Sequence, residues 1–428
     1  MFWIAVGRAS GQTGGTNPLR FPLAALDQLF VNLKQWLLGW LGWAPDWLVT
    51  WASAFLDVAG VMGVFLGLFA LVSLVERKVL ARIQNRLGPN RVGPFGLLQP
   101  VADGIKMLIK EDIVPHKADK VVHFLAPIAM VAPAIVALGV IPYGRNMTAV
   151  VIDGGILLFF AVGSATELAV FMAGWGSNNK YSMLGAMRAI AQMVSYELPL
   201  LLAAVPVVMA VGSLSPDAMV AAQDGHLWGV VPKWFVLTPW GAVAFLIFLI
   251  SALVESNRTP FDLPEGESEL VAGFMTEYSG FKYAIFFMAE YFGMFAIAGL
   301  AVTLFLGGWQ PPFAFLGFVP SWLWFFLKLA VLTLVFIWIR GTLPRIRVDQ
   351  VTNFSWKFML PMAFSCILAV ALWHYTRVSG PDPTAPEWWR EVAAWLISAV
   401  VVAAAYFLMS RVFGTKARFS TRTYRFAE

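Results

Sequence analysis

The chain has 428 residues, 59% of them hydrophobic and 13% charged, with a formal net charge of +5. Its mean hydropathy of +0.72, with several apolar runs of the ~18 to 20 residues that span a bilayer, excludes a string of soluble domains. One cysteine, Cys366, inside such a run, excludes a disulfide framework and a Cys-built metal site.

Taken in chain order, the opening MFWIAVGRASGQTGG lacks the basic region and longer apolar core of a signal peptide. Residues 21–43, FPLAALDQLFVNLKQWLLGWLGW, carry Asp27 and Lys34 amid Trp and Leu, which predicts an interfacial helix rather than a span. Nine apolar spans follow, at roughly 48–75, 121–142, 152–173, 189–213, 236–255, 283–307, 320–340, 357–376 and 392–411. The fold class expected is an all-α polytopic membrane protein.

Basic residues orient it. With nine spans, 22 of the 30 Lys and Arg fall on one side, nine of them between Arg77 and Lys120. By the positive-inside rule, the first, third, fifth and seventh loops face the cytoplasm and the N-terminus faces out. An eight-span count would put the basic tail outside, against that rule.

Two of these loops have opposite charge. Glu76 to Lys120 holds nine bases and five acids, whereas Glu255 to Lys282 holds six acids and two bases. The acids are Glu255, Asp262, Glu265, Glu267, Glu269 and Glu277. Both loops also carry apolar residues that would be poorly placed in water. In the first, Pro100 suits a helix first turn, and Val101, Ile105, Leu108 and Ile109 share one helical face. The expectation is two ordered loops packed together. Helical Glu265 and Glu269 would be like-charged neighbours, with the basic loop as their offset.

Ionisable groups inside spans are costly and point to function. Glu167, Glu197 and Glu290 lie in spans three, four and six. By helical rise they sit roughly 9 to 15 Å from the inner ends of those spans. They suit a half-channel leading inward from the loops, with carboxyls that exchange protons. Pro199 frees a backbone carbonyl one turn earlier, which could orient water. Lys328 in span seven could extend the path sideways into a partner. Asp57 reads as interfacial. No nucleotide-binding loop or Ser–His–Asp set is present, and His116, His123, His226 and His374 are scattered, as loop or boundary residues would be. No cofactor held by this chain alone is expected.

Three stretches carry a family resemblance: ERKVLARIQNRLGPNRVGPFGLLQPVADGIKMLIKE, GWGSNNKYSMLGAMRAIAQMVSYELPL and ESNRTPFDLPEGESELVAGFMTEYSG. They resemble the H subunit of bacterial NADH–quinone oxidoreductase, respiratory complex I, from about Trp47 to Tyr375. The resemblance implies an eight-helix core over 47–376, matching spans one to eight. It implies that the cytoplasmic loops, with two peripheral subunits, enclose a quinone chamber. Ubiquinone is the expected substrate, and the iron–sulfur clusters, FMN and NADH belong to partner subunits. Glu76, Arg77, Arg82 and Arg86 would line the chamber near its membrane opening. Asp262, Glu265, Glu267, Glu269 and Glu277 would form its acidic wall, with Glu255. Glu167, Glu197 and Glu290 would link that wall to the proton-carrying axis of neighbouring membrane subunits. The chain departs from the family pattern at both ends. Residues 1–46 form an extension, and 377–428 add a ninth span and a basic tail beyond Pro381 and Pro383.

The function expected is therefore a multi-pass inner-membrane subunit of a proton-translocating NADH–quinone reductase. Two rivals remain. A free-standing ion transporter would suit half-depth acids and broken helices, although no internal repeat is visible. The membrane anchor of an energy-converting hydrogenase shares the fold and would co-purify with nickel.

Overall fold

The computed structural model describes residues 27–40, 45–227, 231–263, 271–378 and 387–414. Glu265, Glu267 and Glu269, the Pro381–Pro383 stretch, and the extremes of both termini lie outside the described residues.

Thirteen helices are described: α1 Leu29–Gly39, α2 Asp46–Ile83, α3 Gln99–Ile109, α4 Lys120–Gly139, α5 Gly155–Gly176, α6 Lys180–Val211, α7 Pro216–Ala222, α8 Pro239–Glu255, α9 Gly280–Phe305, α10 Ser321–Thr342, α11 Val348–Phe354, α12 Leu360–Val378 and α13 Glu387–Gly414. A two-residue hairpin, β1 His226–Leu227 with β2 Val231–Pro232, is antiparallel. Eight helical stretches are long and apolar enough to cross a membrane. The remaining expected span, the fifth, is α8, an apolar helix of 17 residues, at the short end of what can span.

Two expected boundaries move. α2 has 38 residues, about 57 Å of helix against a hydrocarbon core of about 30 Å. It runs past the expected end at 75, so Glu76, Arg77 and Arg82 stand on a helix, not in a loop. α6 begins at Lys180 rather than 189 because Asn179 caps it, its side chain accepting from the Tyr181 N–H. The stretch Val348–Arg377 is helical throughout, with a π turn over Ser355–Met359. Pro361, which has no N–H to give, follows that turn directly.

α9 is the centre of the bundle. Its apolar window is 78% buried, against 11% for α2 and 17% for α13. It packs on α2, α4, α8 and α10, and α13 packs on α12 and α8. Phe65, Trp240, Phe292, Phe295, Phe305 and Phe325 fill one continuous core. The two ends of the bundle differ. One carries the basic segment after α2 and is called here the basic end. The other carries α1.

At the α1 end, Asp27 Oδ1 accepts from the N–H of Ser321 at 2.7 Å, capping α10. Lys34 pairs with Asp57 at 2.6 Å. Lys328 lies toward this end too. Its ammonium donates to the carbonyls of Leu306, Gly308 and Gln310 at 2.6 to 2.9 Å and lies over the Trp234 ring. Its three donors are thus spent on closing the C-terminal end of α9.

Candidate functional site

α2 delivers Glu76 to the basic end with a side chain only 3% exposed. A carboxylate so placed needs partners, because desolvation of an unpaired charge costs several kcal/mol. Three elements supply them. Arg258, in the turn after α8, donates from Nη1 to Glu76 Oε1 at 2.5 Å. Arg340, near the end of α10, donates to the same oxygen. Tyr291 of α9 donates its hydroxyl to Oε2 at 2.5 Å. The Arg258 guanidinium also lies over the Tyr291 ring, 4.2 Å from its centroid. Burial alone would weaken the charge on Arg258, but the Tyr291 oxygen and the Glu76 carboxylate outweigh it and hold its pKa up.

The turn that presents Arg258 is fixed by α6. Gln192 Nε2 donates to the carbonyls of Val254 at 3.0 Å and Phe261 at 2.8 Å. Asn257 takes a left-handed φ of 49°, which asparagine tolerates better than most residues. Arg258 also feels the charge of Glu290 on α9.

Glu290 and Glu255 both line a cavity of about 60 Å³ in the bundle, together with Thr166, Ser256 and Asn257. Asn257 Oδ1 is buried with no hydrogen-bonding partner among the described residues. A water needs about 10 to 15 Å³ of such space, so the cavity has room for several. Glu255, Glu197 and Glu167 are close enough to act on one another electrostatically. Ser164 Oγ reaches Glu197 Oε1 and also the carbonyl of Phe160 at 3.1 Å. With one proton to give, that hydroxyl serves one of them at a time. The carbonyl freed by Pro199, that of Ser195, does not face water. Ser355 Oγ donates to it at 2.5 Å.

The two oppositely charged segments do meet, but two ion pairs between them among the described residues run against their net charges. The base Lys282 of the acidic segment pairs with the acid Asp112 of the basic one at 2.7 Å. Arg258 with Glu76 repeats that sense. Ser279 Oγ accepts from the Ile113 N–H at 2.8 Å. Net charge therefore predicted the contact without its partners.

The other expected residues separate. Arg77 turns to α3 and pairs with Asp103 at 2.6 Å, and Arg82 and Arg86 are exposed. Glu277 is half-buried and accepts from Asn179 Nδ2 at 2.6 Å. Asp262 is half-buried in the turn beyond Arg258. α3 forms as expected, with Pro100 in its first turn. Val101, Ile105, Leu108 and Ile109 on it are all exposed. Sequence reasoning missed Arg258, Arg340 and Tyr291 as partners. It counted the two arginines only as orienting charges. The available signal was that a glutamate at the end of one span needs cations at the same level of others.

The family model NADH dehydrogenase matches residues 56–371. The H subunit of the NADH-quinone oxidoreductase of Dehalococcoides mccartyi (strain CBDB1) is 49% identical over 308 residues, 71% of this chain and 83% of that one. The corresponding protein of Geobacillus kaustophilus is 46% identical over 341 residues, 79% of this chain and 98% of that protein. That of Bacillus cytotoxicus is 48% identical over 308 residues, covering 72% and 90%. The chain belongs to the NADH dehydrogenase family, with the H subunits of NADH-quinone oxidoreductase, and is a membrane subunit of that assembly.

Proposed function

We propose that the basic end of the bundle forms part of the quinone chamber and passes the effect of quinone reduction to the buried acids. The observation that carries this is Arg258. It touches Glu76 at the membrane end of the basic segment and acts electrostatically on Glu290 beside the cavity.

Reduction of a quinone to a quinol takes up two electrons and two protons. The electrons come from centres in partner subunits, and this chain contributes no redox group. Charge or proton uptake next to the cluster changes how strongly Glu76 holds Arg258. Any shift of that guanidinium alters the field at Glu290. Cavity water then offers a route for a proton between Glu290 and Glu255, and on toward Glu197 and Glu167. Asp262 and Glu277, with Glu265, Glu267 and Glu269, make the acidic wall of the chamber. Arg77, Arg82 and Arg86 mark its membrane opening. In this reading the basic end faces the cytoplasm of a bacterial inner membrane, as the positive-inside rule requires. Peripheral iron–sulfur subunits cover that end, and neighbouring membrane subunits receive the proton-coupled signal.

The test uses the assembled complex in its membrane. Glu76→Gln is expected to lower both quinone reduction and proton pumping, and Glu197→Gln to uncouple or abolish pumping. Full activity of Glu197→Ala in both assays would remove Glu197 from the pathway. Full activity of Glu76→Gln would remove the cluster.

A further inference from the structure

A second cavity, of about 610 Å³, lies at the α1 end and shares no lining residue with the first. Its walls come from α1, the N-terminal half of α2, the turn after α4, and Trp322 and Phe326 at the start of α10. The volume falls within the roughly 300 to 1,000 Å³ of ligand sites. The lining is mostly apolar side chains, with Lys34, Asp57, Asn146 and Thr148 as its polar groups. A cavity lined this way holds water poorly.

Its depth follows from the ends of the helices. Trp322 and Phe326 are the second and sixth residues of α10, and the other wall is the turn directly after α4. The cavity therefore begins at the membrane boundary and reaches about a turn and a half into the span. α1 lies across the same boundary, with Trp36 and Trp40 exposed, the anchoring pattern of an interfacial helix. An apolar opening at that depth is one that bilayer lipid can reach.

Two glycines keep it open. Gly60 and Gly63 line the cavity, and a Cβ built on either meets no atom within 4 Å. A glycine inside a helix costs about 1 kcal/mol against alanine, and nothing among the described residues packs against these two to offset it. At the rim Lys34 is neutralised by Asp57, which lines the cavity with it. Arg145, next to the lining residue Asn146, is exposed, stacked on Trp309, and has no ion pair among the described residues, which leaves it as the uncompensated cation there.

We propose that this cavity binds one phospholipid of the adjoining leaflet, its acyl chain along Gly60 and Gly63 and its phosphate at Arg145 beside the rim. The N-terminal extension thereby gains a role. α1, fastened by Asp27 to Ser321 and by Lys34 to Asp57, forms the outer wall of a lipid site.

The test is photolabelling of the whole complex in its membrane with a phosphatidylethanolamine carrying a diazirine in one acyl chain. Labelled peptides are then mapped by mass spectrometry. Wild type should label within 56–65 and 143–149, saturating as the labelled lipid fraction rises, while α13 labels in proportion to it. Gly63→Leu, whose Cβ meets no atom within 4 Å and whose side chain enters the cavity, should cut cavity labelling several-fold and leave α13 unchanged. Should that variant not assemble, saturation in the wild type decides. Cavity labelling that rises only in proportion to lipid, or is unchanged by Gly63→Leu, overturns the proposal. So does recovery of an isoprenoid quinone, or a partner polypeptide cross-linked in the cavity, in place of phospholipid.

Discussion

Glu76 and Arg258 stand 182 positions apart in the chain and meet at 2.5 Å, with side chains 3% and 9% exposed. Removing the arginine leaves a buried carboxylate short of a partner, a loss that costs about 3 to 5 kcal/mol in comparable pairs. Arg340 touches the same oxygen but its side chain is 33% exposed, so solvent screens it and the loss should be about 1 kcal/mol. Arg258→Gln should therefore reduce the amount of assembled complex on native gels far more than Arg340→Gln. Equal effects would show that Glu76 does not depend on Arg258.

Tyr291 separates stacking from hydrogen bonding. Tyr291→Phe keeps the ring under Arg258 and deletes the hydroxyl that donates to Glu76 Oε2. A hydrogen bond to a charged group is worth about 1.5 to 3 kcal/mol. The phenylalanine variant should assemble, lose thermal stability by that amount, and reduce quinone more slowly. Tyr291→Leu, which loses the stack as well, should be worse on both counts. A phenylalanine variant indistinguishable from wild type would take the hydroxyl out of the cluster.

The apolar runs made the membrane helices legible, because a bilayer imposes one length and one composition on every span. The α3 helix was legible for a related reason: Pro100 and the one-sided apolar spacing are local signals. The Glu76 cluster was not. Its four members lie on four elements, and only the packing of the bundle brings them together. The extended reach of α2 was hidden by its own charges. Glu76, Arg77 and Arg82 interrupt the apolar run but not the helix, since all three are tolerated in helix interiors. The carbonyl partners of Lys328 were hidden for a different reason: they lie in the irregular stretch after α9, which no periodicity in the sequence marks.

At the α1 end, Asp217 in α7 accepts from Thr148 at 3.0 Å. Burial pushes its carboxyl pKa up from the ordinary 3.8, and the Thr148 hydroxyl only partly opposes this. A carboxyl with a raised folded-state pKa favours the folded state fully below 3.8, and that contribution is lost as pH rises through the folded value. Asp217→Asn removes the ionisation and keeps an oxygen for Thr148. The variant should be more heat-resistant than wild type at pH 7, and the gap should close as the pH falls toward 4. A gap that widens on acidification would reverse the sign of this argument.

Asn179 does two jobs that substitution can divide. Its Oδ1 caps α6 by accepting from the Tyr181 N–H at 3.0 Å, and its Nδ2 holds Glu277 at 2.6 Å. Aspartate and serine both make good caps. Serine keeps the cap and loses the hold on Glu277. Aspartate keeps the cap and sets a second carboxylate against Glu277, which costs more than the missing bond because like charges at such range disfavour each other. The segment under strain is the one that meets α6 most closely. Ser182 Oγ donates to the Phe274 carbonyl at 3.0 Å, and a Cβ on Gly185 would stand 2.8 Å from the Gly273 backbone. A disturbance at Glu277 therefore has little room to relax. Quinone reductase activity of the assembled complex should fall in the order wild type, Asn179→Ser, Asn179→Asp, and the aspartate variant should recover as acidification neutralises one of the two carboxylates. If serine and aspartate behave alike at every pH, Asn179 matters only as a cap, and Glu277 is held by something else.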